Sequence, residues 1–102
     1  MIAIFSVVPL GKEALSEDVS RVIDIIDRSG MEYRLTAMGT VVEGEPEEVW
    51  SLIRRCHEKM REFSRRVHTQ ITIDDREGAT DTIRTKIEDV ERHLSRKLKT
   101  RP

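Results

Sequence analysis

The sequence predicts an α+β domain in which two strand-helix-strand units build one antiparallel sheet, followed by an additional C-terminal helix. Three observations predict it. Apolar residues recur at period two in four short stretches, they recur at helical spacing in three longer ones, and the two kinds alternate along the chain.

Ile2 to Val8 is dense in β-branched residues and stops at Pro9-Leu10-Gly11, which marks a central strand ended by turn formers. Ser16 can cap the segment that follows. Glu17 and Asp18 put negative charge in its first turn, and Val19, Val22, Ile23 and Ile26 hold helical spacing up to Ser29-Gly30. From Glu32 to Glu43 the period returns to two, with Tyr33, Leu35 and Ala37 alternating against Arg34, Thr36 and Met38. This predicts two strands folded back at or near Gly39, or else one long bulged strand.

Pro46 then falls at a natural first helical position among Glu45, Glu47 and Glu48, and an apolar stripe runs from Val49 to Phe63. Val67, Thr69, Ile71 and Ile73 alternate with His68, Gln70, Thr72 and Asp74, a half-buried fourth strand leading into Asp75-Arg76-Glu77-Gly78. In the last segment Ile83, Ile87, Val90, Leu94 and Leu98 are three or four apart, a helix that would cover a sheet or a partner surface. The order strand, helix, strand, strand, helix, strand is the split βαβ, or ferredoxin-like, sandwich, here with an additional C-terminal helix. Residues 1–102 read as one domain with no linker or repeat, and that length suffices for one core.

Composition narrows the function. Lys plus Arg total 18 against 19 for Asp plus Glu, so the chain lacks the broad positive field on which nucleic-acid binding relies, and neither nucleic acid nor an anionic membrane is an expected partner. The longest apolar run, Ile2 to Leu10, is far too short for a membrane span and has no basic segment before it, so a cytoplasmic location is expected. The only cysteine, Cys56, lies on the apolar stripe of the second helix and reads as a buried structural thiol.

Several stretches together resemble the small thiamine-binding protein family, also called MTH1187/YkoF-like. They are Ser6-Val7-Val8-Pro9-Leu10-Gly11, the Tyr33 strand leading through Met38 into Gly39-Thr40, Glu43 just beyond, and Ile71-Thr72-Ile73-Asp74-Asp75-Arg76 before the final helix. The resemblance spans nearly the whole chain. It implies a ferredoxin-like domain that assembles into dimers or tetramers through its sheet and binds thiamine or its hydroxymethylpyrimidine half without transforming it. No cofactor or metal is implied.

Thiamine presents a cationic thiazolium, an aminopyrimidine and a hydroxyl, so its site needs a carboxylate, a flat apolar wall and a few convergent polar groups. The candidate ligand-binding residues are Ser6, Tyr33, Met38, Gly39, Thr40, Glu43 and Asp74. Glu43 can accept from the pyrimidine amine or balance the thiazolium. Ser6 and Thr40 offer hydroxyls, and the bare Gly39 lets a ligand approach the backbone. Each residue also has a structural reading: Gly39 as a turn, Asp74 to Arg76 as turn caps, Tyr33 and Trp50 as packing aromatics, Glu43 as an exposed strand-end acid.

Parity along the strands predicts the assembly surface. If Ala3, Phe5 and Val7 face the helices, then Ile2, Ile4, Ser6 and Val8 face the other way with Arg34, Thr36 and Met38, joined by Gln70 and Thr72. Such a mixed face suits burial by a second subunit, giving a homo-oligomer with ligand crevices between copies. Other classes fit less well. Acylphosphatase-like chemistry on this fold needs an Asn, and the chain has none. His57, His68 and His93 are dispersed without metal-ligand spacing. Base stacking needs aromatics on the open face, which the pattern does not supply. The expected function is therefore a non-catalytic binding protein for thiamine or its pyrimidine, the alternative being a regulatory or scaffolding oligomer that senses a different small molecule.

Overall fold

The computed structural model describes residues 1–11 and 16–101. Seven elements run in the predicted order: β1 (Ile2–Pro9), α1 (Ser16–Arg28), β2 (Glu32–Thr36), β3 (Gly39–Glu43), α2 (Pro46–Arg61), β4 (Val67–Asp74) and α3 (Thr82–Leu94). The four strands form one sheet in the order β2-β3-β1-β4, and every neighbouring pair is antiparallel. The long β1 is central because it is apolar on both faces, whereas β4, polar on one face, takes an edge.

Helices α1 and α2 pack on one face, over Ala3, Phe5 and Val42. Val22 and Ile26 come down from α1, and Val49, Leu52, Ile53, Cys56 and Met60 from α2. Each of the larger of these side chains contributes roughly 1.5–3 kcal/mol by leaving water. Proline at the start of α2 needs no amide partner there, and Glu47 and Glu48 complement the helix dipole. The Cys56 thiol points at the Val22 carbonyl, 3.9 Å away, so the expected structural thiol is found in the seam between the two helices.

The hairpin between β2 and β3 closes on the pair Thr36 and Gly39, with Ala37 and Met38 as its two-residue turn. The Thr36 hydroxyl donates to the Gly39 carbonyl at 2.7 Å and accepts the Met38 N–H at 3.2 Å. The chain therefore reverses just before Gly39, which is already the first residue of β3.

Helix α3 is shorter than its sequence pattern. The pattern extends to Leu98, but Ser95 adopts a left-handed conformation (φ 56°) and the Arg96 N–H donates back to the Glu91 carbonyl, closing the helix after Leu94. Glu91 Oε2 then accepts the Leu98 N–H at 2.7 Å and turns the following segment back. Among the described residues, no helix is long and apolar enough to cross a membrane.

Candidate functional site on the open sheet face

Residues directly opposed in an antiparallel pair share a face, so the register sorts every candidate. One row across the uncovered face reads Glu32, Glu43, Ile2, Asp74, and the next reads Arg34, Val41, Ile4, Thr72. Ser6 is then opposed to Gln70, and Val8 to His68. A crevice of about 300 Å³ lies on this face, lined by Ile4, Ser6, Met38, Gln70 and Thr72. Ile4 is 38% exposed and Met38, at the hairpin tip, 86% exposed. Two aliphatic surfaces and three neutral hydrogen-bonding side chains thus converge without a charge among them.

A second and larger crevice, about 600 Å³, opens at the far end of the sheet between the β3-α2 and β4-α3 connections. Its rim is acidic, with Glu32, Glu43, Glu45, Glu48, Asp75 and Asp81 against Arg76 and the N-terminus. Ile4 and Thr72, at the near edge of the neutral crevice, stand two residues from the Ile2 row, about 7 Å, and Ser6 at its far edge stands four residues away, about 13 Å.

The seven candidates do not form one cluster. Ser6 and Met38 meet in the neutral crevice. Gly39 borders it, and its bare Cα is needed there: a Cβ would sit 3.0 Å from the Phe5 carbonyl oxygen and 3.2 Å from Ile4 Cγ1. Glu43 and Asp74 belong to the acidic end. Glu43 Oε1 accepts the Ile83 N–H at 3.0 Å, so this carboxylate holds the first turn of α3. Partial burial pushes its pKa up, but hydrogen bonds from Ile83 and Thr82 and the nearby N-terminal ammonium outweigh that and hold it below the usual value.

Thr40 and Tyr33 lie on the opposite, helix-covered side. Thr40 is opposed to Phe5 and 4% exposed. Tyr33 is opposed to the buried Val42, and its hydroxyl donates to Asp27 Oδ1 at 2.6 Å, a bond that holds the phenol above its usual pKa. Neither side chain reaches the open-face crevice. Conversely, Ile4, Gln70 and Thr72 line the crevice although none was among the seven candidates. Their signal was strand parity, which groups them with Ser6.

The family described as thiamine-binding protein matches residues 3–91, which run from the second residue of β1 into α3. The chain belongs to that family. A UPF0045 protein of Bacillus subtilis, YqgV, is 35% identical over 100 residues, covering 91% of this chain and 96% of the relative. Among solved structures, MJ1052 of Methanocaldococcus jannaschii superposes with a TM-score of 0.79 at 29% identity, covering 87% of this chain and 93% of that one. A Thermotoga maritima protein, TM0486, described as a candidate thiamine biosynthesis or salvage protein, gives 0.77 at 30% identity over 87% of this chain and 96% of its own. The α+β fold of this thiamine-binding family member is thus shared with its solved relatives, and the sequence resemblance is borne out at the level of the family.

Proposed function

We propose that this thiamine-binding family member is a cytoplasmic, non-catalytic protein that binds thiamine or its hydroxymethylpyrimidine half in the open-face crevice, and that a second copy of the chain completes the site. The observation that carries the reading is the crevice itself. Ile4 and Met38 offer an apolar wall for a planar ring, and Ser6, Gln70 and Thr72 supply donors and acceptors at its edge. An aminopyrimidine needs that combination, since its amine donates, its ring nitrogens accept and its faces are apolar.

The carboxylates of Glu32, Glu43 and Asp74, on the same face, supply the negative potential that attracts the cationic thiazolium. Asp74 stands two residues along β4 from Thr72 of the crevice, about 7 Å, so it lies near a bound thiazolium, whereas Glu43 is occupied by the Ile83 amide. Exposed Ile4, Val8 and Met38 favour burial of this face by another subunit, which would also enclose a ligand on its uncovered side.

Binding rather than reaction is supported by the state of the groups able to act on a substrate. His57 Nδ1 lies 2.6 Å from the Thr69 hydroxyl on the helix-covered side and His93 Nδ1 2.8 Å from the Asp89 carbonyl in α3, while His68, opposite Val8 on the open face, is not among the residues that line the crevice. Burial pushes the Cys56 thiol up to about 11, the opposite of activation.

The site is tested by filling it. Ser6→Phe should abolish thiamine binding measured by calorimetry while the circular dichroism spectrum stays that of the parent chain. Undiminished affinity in a folded Ser6→Phe protein would remove the crevice from the account.

A further inference from the structure

The open face changes the sign of its charge along β4. That strand presents Asp74, Thr72, Gln70 and His68 there in turn, the last of them opposed to Val8 of β1. The register runs one residue past the strand, because the Leu10 N–H donates to the Arg66 carbonyl at 2.8 Å. Alternation therefore puts Arg66 on the same face as His68 and Gln70. From one end to the other, the face offers a carboxylate, two neutral hydrogen-bonding groups, an imidazole and a guanidinium.

The last two of these groups are free to act. His68 and Arg66 are both exposed, and among the described residues neither side chain takes part in an ion pair or a hydrogen bond. Nearby Lys59 and Arg61, by contrast, are engaged by Glu62 and by the Ser64 carbonyl. No carboxylate shares the two rows, whose β1 members are Val8 and Leu10. His68 stands two residues, about 7 Å, beyond Gln70 at the edge of the neutral crevice, and Arg66 stands about 13 Å beyond it. The long arginine side chain can reach back over the row between.

We infer that His68 and Arg66 form a phosphate subsite continuous with the crevice, and that the site takes the phosphate monoester of hydroxymethylpyrimidine. The inference deepens the proposed binding function and rests on the crevice being the pyrimidine site. With the ring on Ile4 and Met38, only a methylene and an ester oxygen separate it from phosphorus, which brings the phosphate to the His68 row. Arg66 meets two phosphate oxygens with its planar fork, and a ring N–H of His68 donates to the third. A thiamine phosphate fits this direction poorly, because its thiazolium lies between pyrimidine and phosphate and would come to rest beside the guanidinium. Thiamine itself takes the opposite direction, its cation toward Asp74.

Titration calorimetry of the full chain with hydroxymethylpyrimidine, its monophosphate and inorganic phosphate tests the subsite. The ester is expected to bind at least about tenfold more tightly than the free alcohol, the worth of one charge-assisted hydrogen bond, and more tightly than inorganic phosphate. Arg66→Gln should bring the ratio of ester to alcohol affinity close to unity, and His68→Gln should lower it. If Arg66→Gln loses the parent circular dichroism spectrum, His68→Gln reads the same ratio. Equal affinity for alcohol and ester in the wild type, or an advantage that the folded variants retain, overturns the phosphate subsite and leaves the pyrimidine reading standing. Inorganic phosphate that binds as tightly as the ester overturns the continuity of the two sites. Heat with neither alcohol nor ester overturns both the subsite and the reading on which it rests.

Discussion

The Ile83 amide donates to the Glu43 carboxylate at 3.0 Å, joining the first turn of α3 to the last residue of β3 across forty positions of sequence. This contact acts as a cap supplied from outside the helix. Asp81, the residue before the helix, makes no side-chain cap and is itself in a left-handed conformation. Glu43 therefore sets where α3 leaves the sheet.

Loss of that acceptor should cost about 1 kcal/mol, the usual worth of a helix cap. Glu43→Ala is expected to lower the denaturation midpoint and to speed hydrogen exchange at the Ile83 amide. Glu43→Gln keeps a carbonyl oxygen in place and should have a smaller effect on both readouts. The pH dependence follows from the depressed pKa of Glu43. A carboxylate held below its unfolded value stabilises the fold fully above that unfolded value, and the contribution is lost as pH falls through the folded one. The protection factor of the Ile83 amide in the wild type, its exchange rate corrected for the intrinsic pH dependence, should accordingly fall on acidification below the ordinary carboxylate range, and in Glu43→Gln it should not.

Gly39 is the tightest backbone position at the crevice. A methyl group there meets the Phe5 carbonyl oxygen at 3.0 Å, and backbone cannot yield as a side-chain tip can. Gly39→Ala should destabilise the protein by roughly 1–3 kcal/mol, the usual range for overpacking. Thermal denaturation reads this directly, and an unchanged midpoint would show that β1 and β3 can separate at little cost.

Cys56 should resist thiol reagents in the native protein at pH 8 and react only on unfolding, because it is fully buried and its thiol is pushed up to about 11. The same shift predicts a loss of stability in alkali. The unfolded chain ionises near the ordinary value of 9.0 while the folded chain keeps its proton, so stability falls between that pH and about 11. Cys56→Ala should flatten this alkaline limb.

Five of the seven elements were legible because each keeps one period over enough residues to identify it, whereas β2 and β3 read either as two strands folded back at or near Gly39 or as one long bulged strand. Where the sequence fell short, contacts between distant segments decide. Val41 and Val42 are both apolar, so their pattern does not say which one faces inward. A turn placed at Ala37 and Met38 settles it, putting Val42 and Thr40 under the helices and Val41 outside. Thr40 left the candidate site for that reason. Tyr33 left it by the same parity, on the side where Asp27 from α1 takes its hydroxyl. Glu43 could not be recognised as the anchor of α3, since nothing local links it to Ile83. The extension of α3 to Leu98 failed because apolar spacing continues past a stop that the backbone of Ser95 imposes.

Tyr33 and Gln70 separate the two faces of the sheet functionally. Gln70→Ala should weaken thiamine binding about tenfold, the worth of one hydrogen bond of ~1.4 kcal/mol. Tyr33→Phe removes only the bond to Asp27 and should leave the affinity unchanged. The reverse outcome would move the site to the helix-covered side of the sheet.

Titration calorimetry of the wild-type chain with thiamine, with free amino acids as the comparison ligands, tests the central claim most directly. The account predicts saturable heat with thiamine, at no more than one site per chain, and none with the amino acids. Absence of heat with both thiamine and hydroxymethylpyrimidine would contradict it.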